Sequence, residues 1–425
     1  MSILISDAWM LPQEGFLKQK YDILVEGEYI AKIAPAGTIK CPAAKVIQGN
    51  GSLALPGFVN AHTHSAMSLL RGYGDDMPLM SWLNDRVWPL EAKMTPEDVY
   101  WGSLLSCLEM IKSGTTAFAD MYFFMDSTAK AVEESGLRAS LSAAIIDGET
   151  KDFQEKVELA RIWQGKADGR ITTMLGPHSS YTCSPARLQE VMEAADEYDL
   201  AMHIHIAETQ SEIEQIEAAY GKRTVQHLEN LGFFAGHHVL GAHLVWLNAA
   251  EIDILAQNGV CVAHNPQSNM KLASGIAPVP AMLQAGIKVA LGTDSSCSNN
   301  SLDMLAEMKA AALLAKVGTL DATALPAAKV IEMATENGAA ALDLPQVGKL
   351  EPGYKADLIL LDMNKPHLAP LHDLASQVVY AANGADVKTT LVNGQVLMQD
   401  YEVLVLDEAK ILSEVKKCCK NLFYR

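Results

Sequence analysis

From residue 53 to about residue 344 the chain alternates short β-rich runs with helical ones, and no other feature restricts its fold as much. The runs are LALPGFVNAH, TTAFADM, RASLSAAII, ITTMLGPH, AMHIHIA, HVLGAHL, GVCVAHN and KVALGTD. They number eight. Eight parallel strands separated by helices is the count at which such a sheet closes on itself, so the spacing predicts an α/β fold, a (β/α)8 TIM barrel. The helices are read from period: between Pro96 and Ser113, residues Trp101, Leu104, Leu105, Leu108 and Ile111 form one stripe that Gly114 ends. Ser184 and Pro185 supply a cap and a first-turn proline for the segment RLQEVMEAADEYDL.

The two ends read as short strands and turns, in SILISDAWML and YDILVEGEYIAKI at the start and in ADLILLDM and TTLVNGQVLMQDYEVLVL after residue 353. Neither piece has enough strands to bury a core alone. The expectation is that they pair into one small β-sandwich domain interrupted by the barrel. The organisation expected is therefore residues 1–56 and 351–425 in the small domain, with a terminal helix from Asp407, and residues 57–350 in the barrel.

Composition narrows the function. A formal charge of -18 leaves no basic face with which to release counterions from nucleic acid. Seven scattered cysteines without a C-x-x-C pair suggest neither a disulfide framework nor a zinc ribbon, and point to a reducing compartment. The opening residues carry no basic leader and no run reaches the ~20 apolar residues of a membrane span. The chain reads as a soluble cytoplasmic protein without nucleic-acid or membrane partners.

The ends of the barrel strands carry the chemistry. His62 and His64 in LPGFVNAHTHS, His205 and Glu208 in AMHIHIAET, His243 in VLGAHL and Asp294 in VALGTDSS each close an apolar run. A strand period of two puts His62 and His64 on one face. Three neutral imidazoles and a carboxylate suit Zn²⁺ or Fe²⁺ and leave a position for water. A lone H-x-H pair fits a solvated strand face equally well. Distribution decides, because His178 and His264 also fall at strand ends, the face on which barrel enzymes build their sites.

The other histidines say less. His203 reads as a hydrogen-bonded core residue one layer below His205, and His227, His237 and His238 read as solvated. Glu208 follows His205 by three residues, so strand parity would turn it away unless the strand ends between them. Placed at the rim, it has the geometry of a proton shuttle. Some thirty residues, SAMSLLRGYGDDMPLMSWLNDRVWPLEAKMT, separate the first strand from its helix and carry Trp82, Trp88 and Glu91. Their length and position suggest a lid and substrate wall.

With PGFVNAHTH, HIHIAET, GAH, GTDS and GKLEPGYKADLILLD, the chain resembles the amidohydrolase superfamily over nearly its whole length. Through LEAK, GPHSSYTCSP and HNPQSNMKLASG it most resembles the 5-methylthioadenosine/S-adenosylhomocysteine deaminase group of the deaminase and chlorohydrolase branch. The resemblance implies one divalent metal, Zn²⁺ before Fe²⁺, held by His62, His64, His205 and Asp294. It places Glu208, His243 and Asp294 as the catalytic groups around the attacking water. Binuclear relatives carry a carbamylated lysine on the fourth strand, and ITTMLGPHS has none.

The substrate contacts it implies are Glu91 on the ribose hydroxyls, His178 on the nucleoside, Trp88 in the lid, and Glu208 and Asp294 at the base. The activity implied is hydrolytic deamination of 5'-methylthioadenosine, adenosine or S-adenosylhomocysteine to the inosine analogue and ammonia. One departure stands out. Arginines expected after the third strand to clamp an amino-acid carboxylate are missing from SLSAAIIDGETKDFQEKVE, which disfavours S-adenosylhomocysteine. The competing readings are a guanine deaminase or s-triazine-type amidohydrolase or chlorohydrolase on the same scaffold, and, from another class, a metal-free binding scaffold. Members of the family commonly form homo-oligomers, but the sequence displays no interface.

Overall fold

The computed structural model of the chain describes residues 2–11, 19–77, 79–148 and 150–424. Pro78 of the lid segment, Glu149 of the segment searched for arginines, and the two terminal residues lie outside the described residues. The N-terminal strands are β1 (Ser2–Met10), β2 (Tyr21–Glu26), β3 (Tyr29–Pro35), β4 (Lys45–Gln48) and β5 (Ser52–Pro56). The barrel strands are β6 (Phe58–Thr63), β7 (Thr115–Tyr122), β8 (Arg138–Ile145), β9 (Ile171–Pro177), β10 (Ala201–Ile206), β11 (Val239–His243), β12 (Cys261–His264) and β13 (Val289–Leu291). After the barrel come β14 (Leu358–Asp362), β15 (Val387–Val392), β16 (Gln395–Gln399) and β17 (Glu402–Val403).

β6 to β13 pair in sequence order, each parallel to the next. β7 and β8 are buried along their whole length, as a parallel sheet covered on both faces requires. The ring closes where β13 runs out. Thr63 bridges Asp294 in parallel, the Asp294 amide donates to the His62 carbonyl at 2.9 Å, and Asn60 and Thr293 exchange hydrogen bonds. The floor of the barrel is filled by Val59, Ala61, Ala117, Ala119 and Met174, with Ala339, Ala341 and Leu342 packed beneath.

The remaining strands form a second sheet in the order β17, β16, β15, β14, β5, β1, β2, β3, with β4 also on β1. β1 is shared: residues 2–6 pair with β2 and β4, then Asp7 adopts φ 60 and Trp9 and Met10 pair with β5. Chain ends meet in the antiparallel pairing of β14 with β5. The run LALPGFVNAH, expected as one barrel strand, is split between the two sheets at Gly57. A Cβ there would lie 2.1 Å from the Thr116 side chain, so only glycine lets the chain cross at this point.

The segment after β6 is not an open loop. It holds a 3₁₀ helix over Ser65–Leu70 and short helical turns at Leu79–Trp82, Leu83–Val87 and Trp88–Glu91. Its apolar side chains Met67, Leu69, Leu70, Trp82, Val87 and Leu90 pack with Cys418 and Leu422 of the terminal helix Glu408–Tyr424. The helix Pro96–Ser113 follows as the stripe predicted, opened by a Thr95/Asp98 capping box and ended by Gly114 at φ 88.

Candidate metal and active site

Strand ends place every expected ligand. The rings of His62 and His64 lie 4.8 Å apart, those of His62 and His205 also 4.8 Å, and those of His64 and His205 5.4 Å. Asp294 brings Oδ1 to 3.5 Å from His62 Nε2 and to 3.3 Å from His64 Nε2. Ligand atoms of His62, His64 and His205, and of His62, His243 and Asp294, fall within 4.8 Å of one another. Positive φ at Asp294 and His243, 60° and 74°, turns both side chains out of the strand direction and into the mouth.

Second contacts aim the imidazoles. His64 Nδ1 bonds the Met121 carbonyl at 2.6 Å and His205 Nδ1 the His178 carbonyl at 2.7 Å, which makes each Nδ1 the protonated nitrogen and frees each Nε2. His62 Nδ1 meets His203 Nε2 at 2.8 Å, and His203 is tied on to Ser142 at 3.3 Å. His203 is thus the buried support that parity predicts. Among the described residues His62 Nε2 is fully buried with no hydrogen-bond partner, the Asp294 carboxylate standing 3.5 Å away. An orphaned acceptor at the centre of such a cluster is what a cation fills, and the donor set of three imidazoles and one carboxylate fits a divalent ion.

Charge agrees with this use. Burial drives the His62 pKa down to about 3, and the His205 ring well below its ordinary value, with neighbouring histidines adding to the effect. Both are therefore neutral and ready to ligate. Burial opposes the ionisation of Asp294, yet the contact with His62 and the neighbouring His64 and His243 rings outweigh it and hold the carboxyl well below the usual range. Two hydroxyls also donate to Asp294 Oδ2, Ser268 at 2.6 Å and Ser298 at 2.9 Å.

The groups around the ligands are His243, Glu208, His178 and Glu91. His243 Nε2 lies 3.9 Å from Glu208 Oε2, and its Nδ1 bonds Asn269 at 2.9 Å. Burial lowers the His243 pKa, but the Glu208 and Asp294 charges reverse it and leave a net rise. β10 does end before Glu208: Ala207 adopts φ 52 and swings the carboxylate to the rim, where Ser274 donates to it at 3.4 Å. His178 packs its ring 4.8 Å from that of His205 and bonds Thr182 at 3.0 Å, with burial pulling its pKa to about 4. Glu91 accepts the Tyr122 hydroxyl at 2.6 Å, and desolvation raises its pKa. Trp88, three residues before it, is 42% exposed.

Other expectations need correction. His227 is buried and stacks on Tyr220 at 4.1 Å, while His237 bonds Asp196 and His238 bonds the Ala341 carbonyl, so these three do not form a solvated group. Tyr122, Ser268, Ser298 and Asn269 had no part in the expected site. Ser268 and Asn269 lie in HNPQSNMK, one turn beyond a strand end, and their position was the available signal. Glu307 is a further surprise: fully buried, with burial lifting its pKa to about 8, it accepts from Gln267 and Asn299, neighbours of the two serines on Asp294.

The barrel, its closing bridge at the ligands and the histidine-rich mouth define a metal-dependent hydrolase scaffold. The chain belongs to the amidohydrolase family, whose pattern it matches over residues 53–397. It is 49% identical to the 5-methylthioadenosine/S-adenosylhomocysteine deaminase of Syntrophomonas wolfei, over 99% of each chain. It is 52% identical to the 5'-deoxyadenosine deaminase of Methanosarcina mazei, over 100% of this chain and 99% of that one. Among solved structures, an adenosine deaminase from Xanthomonas campestris with bound zinc superposes with a TM-score of 0.95 at 35% identity, covering 100% of this chain and 99% of the other.

Proposed function

We propose that this protein is a zinc-dependent hydrolytic deaminase of adenine nucleosides, converting them with water to the inosine analogue and ammonia. The observation that carries the reading is the meeting of Glu208 and His243 beside His62, His64 and His205, with Asp294 Oδ1 3.5 Å from His62 and 3.3 Å from His64. A divalent ion held by those four residues would supply a water acidic enough to attack near neutral pH. Asp294, ionised, and His243 stand ready to take the proton that this water gives up. Glu208 delivers a proton to purine N1, drawing electrons away from C6; the proton taken up by His243 or Asp294 then goes to the departing amine, and Glu208 recovers its own from the new C6 hydroxyl as the carbonyl forms.

Glu91, steadied by Tyr122, takes the ribose hydroxyls; His178 and the Trp88 indole border the nucleoside. Full-length relatives at about half identity are named for substrates with a modified or missing 5' substituent, which agrees with this pocket. After β8 the chain presents Asp147, whose carboxylate already accepts from Ser184, in place of a cation. Methylthioadenosine, 5'-deoxyadenosine and adenosine are therefore the expected substrates, ahead of S-adenosylhomocysteine, whose carboxylate would lack a partner. The cell interior is the expected compartment; among the described residues no helix is long and apolar enough to cross a membrane.

The test is ammonia release from zinc-loaded protein over purine nucleosides, free purines and triazines. Glu208→Gln should lower kcat by about 10³-fold or more, whereas Glu91→Ala should chiefly raise KM for nucleosides. Equal and mild effects of the two substitutions contradict both roles. Similar kcat/KM for methylthioadenosine and S-adenosylhomocysteine would remove the substrate preference alone.

A further inference from the structure

Glu212 is a buried acid with no place in the chemistry just described. It lies in the first turn of the helix Gln210–Tyr220 and is 4% exposed. Thr209 caps that helix, accepting from the Glu212 amide at 3.2 Å, so Glu212 holds the position from which a capping-box glutamate takes the N–H of the cap residue. It reaches further back instead. Oε1 accepts the Ala207 N–H at 2.8 Å and Oε2 accepts the Glu208 N–H at 2.9 Å.

Those two amides form the turn that takes Glu208 out of strand parity. Ala207 sits there at φ 52, a conformation that residues with a Cβ rarely adopt without outside restraint. The same residue is held from the other side, its carbonyl accepting the N–H groups of Val245 and Trp246 at 3.0 Å each, just past His243. One carboxylate on the amides and one strand end on the carbonyl therefore grip the turn. The side chain that this turn aims is Glu208. Helix capping alone does not call for a buried charge, since Thr209 already provides it and an acid so enclosed is costly to ionise; burial in fact lifts the Glu212 pKa to about 7 against the two N–H donors.

We infer that Glu212 is a positioning residue for the deamination, fixing the turn that presents Glu208 to the purine and acting through Glu208 alone. The inference rests on Glu208 being the proton shuttle. It is tested on zinc-loaded full-length protein with Glu212→Gln, Glu208→Gln and the double variant, reading kcat and KM for methylthioadenosine, metal content and Tm. Glu212→Gln should lower kcat about 30-fold or more, with KM within about threefold and one ion still bound per chain. In the Glu208→Gln background the same change should add less than about twofold, because its route is already cut. An unchanged kcat in Glu212→Gln, or a further tenfold loss in the double variant, overturns the inference. Near-normal turnover of Glu208→Gln would instead remove the role given to Glu208, and the positioning role with it. Should Glu212→Gln fail to fold, Glu212→Asp, which keeps the acid but is one methylene too short to span both amides, is expected to show the same kcat loss; failure of both to fold assigns Glu212 to structure and overturns the proposal.

Discussion

Tyr122 stands at the end of β7 with its hydroxyl on one oxygen of Glu91, which leaves the other oxygen for a ligand. Removing that hydroxyl frees a partly buried carboxylate to rotate, at a cost of about 1.5–3 kcal/mol for a hydrogen bond to a charged group. Tyr122→Phe should accordingly raise KM for methylthioadenosine by about 10- to 150-fold while kcat changes little. The 2',3'-dideoxy analogue, which offers no diol, should be unaffected. An equal loss on both substrates would separate Tyr122 from ribose recognition. The residues proposed as ligands were visible in the sequence because each closes an apolar run. Their supports were not: Ser142, Ser268, Ser298 and Asn269 contribute single hydroxyls or amides, and such groups are too common along any chain for their type to mark them.

Gly57 divides β5 from β6, and with them the small sheet from the barrel. Its Cβ position is occupied by the Thr116 side chain at 2.1 Å, so Gly57→Ala forces β6 and β7 apart next to the strand that carries His62 and His64. Overpacking of this kind costs about 1–3 kcal/mol. The expected result is a lower urea midpoint together with weaker zinc retention, whereas Gly221→Ala, at a surface helix end with open space around its Cβ, should keep its metal. Strand existence was legible from alternation. The break at Gly57 was not, because two strands in line, belonging to different sheets, carry one continuous apolar pattern. The short turns in the segment after β6 were not legible either, since they gain their stability from Leu69, Leu70 and Trp82 packing on a helix more than 300 residues later, not from local propensity.

The barrel is joined to the small sheet by a buried ion pair. Arg138, opening β8, gives Nε to Asp357 at 2.9 Å and Nη2 at 3.2 Å, and Asp357 also accepts the Asn393 amide at 2.6 Å. Side-chain exposures of 4% and 1% make this a pair whose breakage strands a charge. Arg138→Met should destabilise the protein by about 3–5 kcal/mol, and Arg138→Met with Asp357→Leu by much less, as urea unfolding would show. An equal loss in both would mean that packing rather than charge holds the junction. Metal loading acts on the whole molecule too: chelation should abolish turnover and lower Tm, with about 4 kcal/mol regained at free zinc 1,000-fold above its dissociation constant.

Periodicity and the residues at strand ends by themselves determined the barrel, the small domain made from both termini and the set of side chains able to share an ion. These are local properties, since an apolar run and the residue that ends it are neighbours in the chain. Tertiary structure decided the rest. The closing bridge between Thr63 and Asp294, the support of His62 by His203 and the hold of Glu212 on the Glu208 turn depend on φ angles and on contacts across the ring, and a linear pattern contains neither.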